Sequence, residues 1–364
     1  MSSRLHNIKR KFQSYMSTSS AYLRKSRDIS LESPTRRTIS AGFVTRRSKL
    51  VTRSLEINLT SHCNLRCYGC GRGSPALAED YLSVPQLAQD LAVLSKVLHV
   101  REFKLAGGEP LQHPAILEIV DLVRESGVAD EITLITNGVL LHQAQDDLWK
   151  KIDGLWVSVY PGVKRSLSRD EIMSTGRKHR VTVWYKITDT FMRRMLNSEN
   201  RDSDLVREIY SDCYQRRSCH SIYNGRYYKC ASGPFIPEWL RRIAVDAPDF
   251  SGDGVPLHDN PSLRQELEDY LNSDTPLTAC CYCLGGSGKS FANRQLNEDG
   301  IQAWLTEKHT DVRDLIDTER LTSAGPGTKE VSSVWGRIAS DLFSALRWGV
   351  GTKTNKKESP VEKV

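Results

Sequence analysis

The 364-residue sequence lacks any apolar run approaching the roughly eighteen residues of a membrane-spanning helix, so no transmembrane anchor is expected. Its N-terminus lacks the short apolar core and small-residue cleavage site of a secretory signal. Nine cysteines occur in that setting, and they fall in three close clusters. Clustered thiols without a secretion signal point to metal ligation rather than a disulfide framework, and to a reducing, cytoplasmic compartment. Missing too is a net positive charge on the body. Residues 1–53 hold thirteen Lys and Arg against Asp28 and Glu32, a balance of +11, so within the net +7 the rest of the chain carries −4. A groove tracking nucleic-acid phosphates would place its positive charge on the body, and a nucleic-acid partner is not favoured. The basic, Arg/Ser-rich tail fits a solvated extension, an organelle transit peptide or an arm for an anionic surface.

What is present is a substantial apolar fraction, 39% of residues, enough for one large domain with appendages or for two domains. From Ser54 the sequence alternates. SLEINLT (54–60), REFKLAGG (101–108), EITLITNG (131–138), LWVSVYPG (155–162) and VTVWYKIT (181–188) read as strands. Residues 84–98, 113–127 and 142–152 read as helices between them. Strand and helix alternating at this pitch predict an α/β fold, a partial (βα) barrel that is open-sided, with no sixth strand placed. The first four strands end in turn residues, and such C-terminal ends gather at one barrel mouth, where chemistry is done.

After about residue 200 the alternation fails. Residues 201–322 are expected to form a smaller, irregular α+β domain with its clearest helix at 263–272. Residues 323–364 are read as a Gly/Pro/Ser linker, an amphipathic helix at 334–350 and a basic tail. The division is thus 1–53 tail, 54–200 barrel, 201–322 second domain and 323–364 linker and tail.

SHCNLRCYGCGRG (61–73) places Cys63, Cys67 and Cys70 directly after the first strand. A structural zinc site wants four ligands, and no nearby residue makes an orderly fourth. Three thiolates can instead hold a [4Fe–4S] cluster and leave one iron open to a chelating molecule. With LAGGEPLQHP (105–114), ITNG (135–138) and SVYPG (158–162) following in order, residues 54 to about 190 resemble the radical S-adenosylmethionine (radical SAM) enzymes. The resemblance implies that the open iron chelates SAM and that reduction releases a 5′-deoxyadenosyl radical. That radical abstracts hydrogen from a substrate. It further implies that the Gly107–Gly108 backbone and Glu109 meet the SAM ammonium and that Ser158 meets the ribose. One position departs from the family pattern. An aromatic residue usually precedes the last cysteine, near the adenine; here Gly69 stands there and Tyr68 one place earlier.

In DCYQRRSCHSIYNGRYYKC (212–230), Cys213 and Cys230 flank a turn at Gly225, and Cys280 with Cys283 forms a distant Cys-x2-Cys pair. This resembles the twitch domain of radical SAM enzymes, a truncated SPASM domain in which four cysteines hold a second [4Fe–4S] cluster. Four-thiolate zinc is the alternative. Cys219 could replace Cys213, and Cys281 is a bystander. CLGGSGKS (283–290) has Cys283 where a phosphate-binding loop needs glycine, which excludes that reading.

The resemblance implies an oxidoreductase-type enzyme that takes hydrogen from a small polar substrate, such as a sugar, aminocyclitol or nucleotide sugar. The second cluster would accept or relay an electron, giving dehydrogenation or epimerisation. The electron donor would be a flavodoxin or ferredoxin. Tyr160, Lys186 and Asp189 are candidate bases, unranked. The alternatives are a peptide maturase, for which the N-terminal 53 residues hold too little apolar content to form a leader-binding domain, and a non-enzymatic iron–sulfur or zinc protein.

Overall fold

The computed structural model describes residues 44–46, 49–309 and 311–322. The helix expected at 334–350 and most of the basic N-terminal tail lie outside the described residues. A short strand β1 (Val44–Arg46) pairs antiparallel with β2 (Lys49–Asn58). Then come α1 (Val84–Val97), β3 (Leu98–Ala106), α2 (Ile116–Ser126), β4 (Ala129–Thr136), α3 (Asp146–Lys151), β5 (Gly154–Val159), α4 (Arg169–His179) and β6 (Thr182–Ile187). Strands β2, β3, β4, β5 and β6 pair in that order, each parallel to the next. The fold is therefore α/β with a large parallel sheet, a partial barrel whose five parallel strands are joined by four helical crossovers.

Chain chemistry explains the elements. Ser83 caps α1 through its side chain, Pro85 sits in the first turn, and Leu87, Leu91 and Leu94 bury one face at helical spacing. The last five residues of β2 are buried on both faces, as a central parallel strand requires. Leu55, Ile57, Phe103, Leu105, Leu134 and Leu155 are fully enclosed between sheet and helices. Each such side chain contributes about 1.5–3 kcal/mol through burial.

The sequence suggested a separate irregular unit after residue 200, but the sheet runs on through it. Beyond β7 (Thr190–Met192) and the helix α5 (Ser203–Asp212), strand β8 (His220–Tyr223) pairs parallel with the free edge of β2. It is the sixth parallel strand that the alternation did not reveal. A four-residue strand is too short to show a period. β8 turns back through Asn224 and Gly225, both at positive φ, into β9 (Arg226–Tyr228). That Asn-Gly pair is the residue chemistry of a tight hairpin turn. Asp90 on α1 clamps the turn, accepting from Gly225 N at 3.3 Å. β10 (Val255–Pro256) extends the sheet, and β11 (Ser290–Ala292) forms a separate two-stranded ribbon with β7. A second core of Phe235, Ile236, Trp239 and Trp304 lies beneath that region.

Candidate functional site: two cysteine sets at the sheet mouth

The chain leaves β2 at Asn58 and enters the cysteine loop. Against it lies the end of β3, where Gly107 has φ +141°. A β-carbon on Gly108 would stand 1.8 Å from the His62 carbonyl oxygen, and one on Gly107 would stand 2.8 Å from that of Thr60. Only glycine permits this approach. The contact is fixed by Gly108 N donating to Thr60 O at 2.8 Å and Glu109 N to His62 O at 3.1 Å. The two glycines therefore seat the cysteine loop as well as facing the cleft above it.

That cleft has a volume of about 490 Å³. Cys63, Cys67 and Cys70 line it together with Gly107, Gly108 and Ser158, and Tyr160 and Lys186 face it from the next strand ends. Glu109 does not line it. Its side chain is fully buried behind the wall, with Oε1 accepting from Thr136 Oγ1 (2.6 Å) and Leu111 N (3.2 Å) and Oε2 from Asn137 N (2.9 Å). Burial pushes its pKa up to about 7 against those three donors. Asp189 is not among the lining residues either; its carbonyl accepts from Asn293 N at 2.8 Å.

Two of the three sulfurs face donors. Leu65 N donates to Cys63 Sγ at 3.4 Å and Asn137 Nδ2 at 3.6 Å. Gln295 Nε2 donates to Cys67 Sγ at 3.1 Å. Burial pushes the Cys63 thiol up to about 12 and Cys67 upward as well. Bound iron would hold them as thiolates, and N–H groups aimed at sulfur suit that charge. Three thiols on one short loop, each open to the same cleft, fit a [4Fe–4S] cluster with one iron left for SAM. Sequence reasoning missed Asn137 and Gln295. The first lies inside a motif already noted, whereas nothing in FANRQLN signals that it clamps a loop 228 positions earlier.

Gly69 adopts φ +64°, and the ring of Phe291 fills the space beside it, 2.2 Å from where a β-carbon would be. Tyr68 turns the other way, its hydroxyl donating to Glu307 and accepting from Arg193 at 2.6 Å. The aromatics lining the cleft are instead Tyr160, Phe191 and Tyr214, and the rings of the first two meet edge-on with centroids 5.9 Å apart.

A second cavity, of about 30 Å³, is lined by Cys213, Cys230, Cys280 and Cys283. Gln215 lines both cavities, accepting from Cys230 Sγ at 3.6 Å and Ser232 Oγ at 3.3 Å. Cations crowd this set. Arg216 is in its wall, and the buried Lys229 donates to Tyr210 Oη at 3.1 Å and the Ser273 carbonyl at 3.0 Å. Burial brings the Lys229 pKa down to about 8. Cys219 lines the larger cleft, and Cys281 lines neither cavity.

Comparison with known proteins agrees with this geometry. Residues 57–198 match the model of the Radical SAM superfamily. That match covers 142 of the 364 residues, and members of the superfamily bind a [4Fe–4S] cluster and SAM. It is 30% identical over 159 residues to a GTP 3′,8-cyclase of Chlorobaculum tepidum, covering 43% of this chain and 46% of the relative. It is 34% identical over 96 residues to a probable GTP 3′,8-cyclase of Methanocaldococcus jannaschii, covering 26% and 32%. The chain thus spans less than half the length of these curated relatives. Among solved structures, BtrN in complex with AdoMet and 2-DOIA aligns at 17% identity with a TM-score of 0.39, covering 62% of this chain and 84% of that one. Among the described residues no helix is long and apolar enough to cross a membrane.

Proposed function

We propose that this radical SAM enzyme acts on a small polar substrate held in the cleft between two iron–sulfur sites. One observation carries the reading: the loop of Cys63, Cys67 and Cys70 opens into a cleft that shares Gln215 with a cavity ringed by four further cysteines. When bound, the cluster and SAM would supply radical hydrogen-abstraction chemistry. The protein's part is positional. Gly107 and Gly108 seat the first cysteine loop and present backbone to the methionyl end of SAM. Ser158 faces the ribose. Glu109 serves from behind the wall, tying the end of β3 to Asn137 and so to Cys63.

Cys213, Cys230, Cys280 and Cys283 hold the second cluster in this reading, as in a twitch domain. Lys229 and Arg216 offset the negative charge of four thiolates. Among the described residues, no three His, Cys, Asp or Glu side chains stand close enough to share a single metal ion. A cluster so near the cleft offers a place for the electron left on the substrate, which favours dehydrogenation of a sugar, aminocyclitol or nucleotide sugar, or epimerisation. Tyr160 and Lys186 are the cleft-facing candidates for a base, the electron donor being a flavodoxin or ferredoxin. The names of the relatives favour a second reading, cyclisation of a nucleoside triphosphate.

Anaerobic reconstitution with iron and sulfide tests the proposal. About eight irons per chain are expected, with 5′-deoxyadenosine released from SAM under a reductant. Absence of that nucleoside refutes the enzyme reading. Replacing Cys280 and Cys283 is expected to remove about four irons and leave some SAM cleavage; unchanged iron refutes the second cluster.

A further inference from the structure

Two arginines line the cleft, and they are differently partnered. Arg72 is paired with Glu56 and also donates to Asn58, so its charge is spoken for. Arg194 follows β7 and is tied by its carbonyl to Leu284 N at 2.8 Å, next to Cys283. Its side chain passes 3.0 Å from the β-carbon position of Gly71, beside Cys70. The guanidinium therefore stands between the two cysteine sets. Its Nη2 donates to the hydroxyl of Tyr214 at 2.7 Å, and Tyr214 also lines the cleft. Among the described residues no carboxylate forms an ion pair with it.

A half-buried guanidinium at a cleft wall, held by a neutral hydroxyl and by no carboxylate, keeps its charge available to a negative group entering the cleft. The thiols of Cys213 and Cys283 are near enough to act on its charge. It lines the open cleft together with Ser232 and Gln215. The planar fork of Arg matches the paired oxygens of a carboxylate or phosphate, and Tyr214 fixes its direction.

We propose that Arg194 is the anion-binding residue of the cleft and that the substrate carries a carboxylate or phosphate group held there, between the two cysteine sets. The proposal rests on the substrate-cleft reading above and narrows it to anionic substrates; a neutral aminocyclitol or sugar would leave Arg194 unanswered.

The test is equilibrium binding rather than turnover. Reconstituted, SAM-loaded full-length chain is titrated calorimetrically with inorganic pyrophosphate and, separately, with malonate. Binding of pyrophosphate alone assigns a phosphate-bearing substrate, and binding of malonate alone a carboxylate. Arg194→Gln is expected to weaken that binding at least about tenfold, a loss of about 1.4 kcal/mol, while Arg201→Gln on the exposed surface leaves it unchanged. Arg194→Lys keeps positive charge beside Cys213 and Cys283, and is expected to keep the iron and recover only part of the affinity. Should Arg194→Gln lose iron, the lysine variant carries the test. Wild-type affinity in Arg194→Lys would then mean that the fork plays no part, and would overturn the proposal. So would binding in an iron-replete Arg194→Gln as tight as wild type, or no binding of either anion to the wild-type chain. Iron content and 5′-deoxyadenosine release, measured on the same samples, separate failure here from failure of the enzyme reading.

Discussion

Gln295 donates through Nε2 to the sulfur of Cys67 over 3.1 Å and accepts through Oε1 from Arg66 N at 2.9 Å, gripping the cysteine loop from 228 positions away. A hydrogen bond to a ligating thiolate withdraws charge from the iron and favours the reduced cluster. Gln295→Leu is therefore expected to move the midpoint potential of the SAM-site cluster to more negative values, leaving the second cluster unchanged. Redox titration followed by electron paramagnetic resonance reads both. An unaltered first potential would leave Gln295 with only a packing role.

Gly69 and Phe291 make a contact that no other residue at position 69 could keep. The φ of +64° disfavours a side chain, and a β-carbon would overlap the phenyl ring. Gly69→Ala is expected to cost about 1–3 kcal/mol, from backbone strain and overpacking together. The double variant Gly69→Ala/Phe291→Ala relieves the overlap but not the strain, and should recover part of the loss. Thermal unfolding of the reconstituted chain reads both. A double variant no more stable than the single one would show that strain alone is responsible.

The strand-helix alternation of residues 54–188 was legible because the first four strands carry apolar runs closed by turn residues, and helices α1 and α2 carry leucine, isoleucine or valine at helical spacing. Helix α4 escaped notice because RDEIMSTGRKH buries little beyond Ile172 and Gly176. Its one readable signal was the Ser168–Glu171 capping box. The first cysteine set and its glycines were legible from spacing. The partners that hold them were not, because Gln295, Phe291 and Arg194 reach the cysteine loop through the β7–β11 ribbon and its neighbours, a tertiary contact without local pattern. Glu109 was read as a group facing SAM. Its burial behind Thr136 and Asn137 depends on how two strand ends meet, which one strand's sequence does not state.

Glu109 is expected to act through structure and through pH. Three donors converge on its carboxylate, so Glu109→Gln turns an amide donor toward at least one of them and should cost about 1–3 kcal/mol. With Asn137 released, the first cluster should also be lost more readily to a chelator. The folded carboxyl titrates near 7, above its ordinary 4.5. The native state thus binds the extra proton, and this group's contribution to stability falls as pH rises through that window. A Glu109→Gln variant with wild-type stability and iron retention would contradict this account.

His220 acts with the opposite sign. Its Nε2 donates to the Arg216 carbonyl at 3.2 Å and, in the neutral ring, its Nδ1 accepts from the Tyr227 hydroxyl at 2.7 Å, so both nitrogens of the buried neutral imidazole are satisfied. Burial lowers its pKa from 6.5 to about 4. The unfolded chain then binds more protons between those values, and stability falls as pH drops through them, by at most about 3 kcal/mol. Between pH 5 and 6.5 the Glu109 and His220 contributions oppose one another and flatten the wild-type profile. Glu109→Gln should expose the histidine slope, with urea midpoints rising with pH. His220→Gln should expose the carboxyl slope, with midpoints falling. Parallel profiles for the wild type and both variants would show that neither group governs stability in this range.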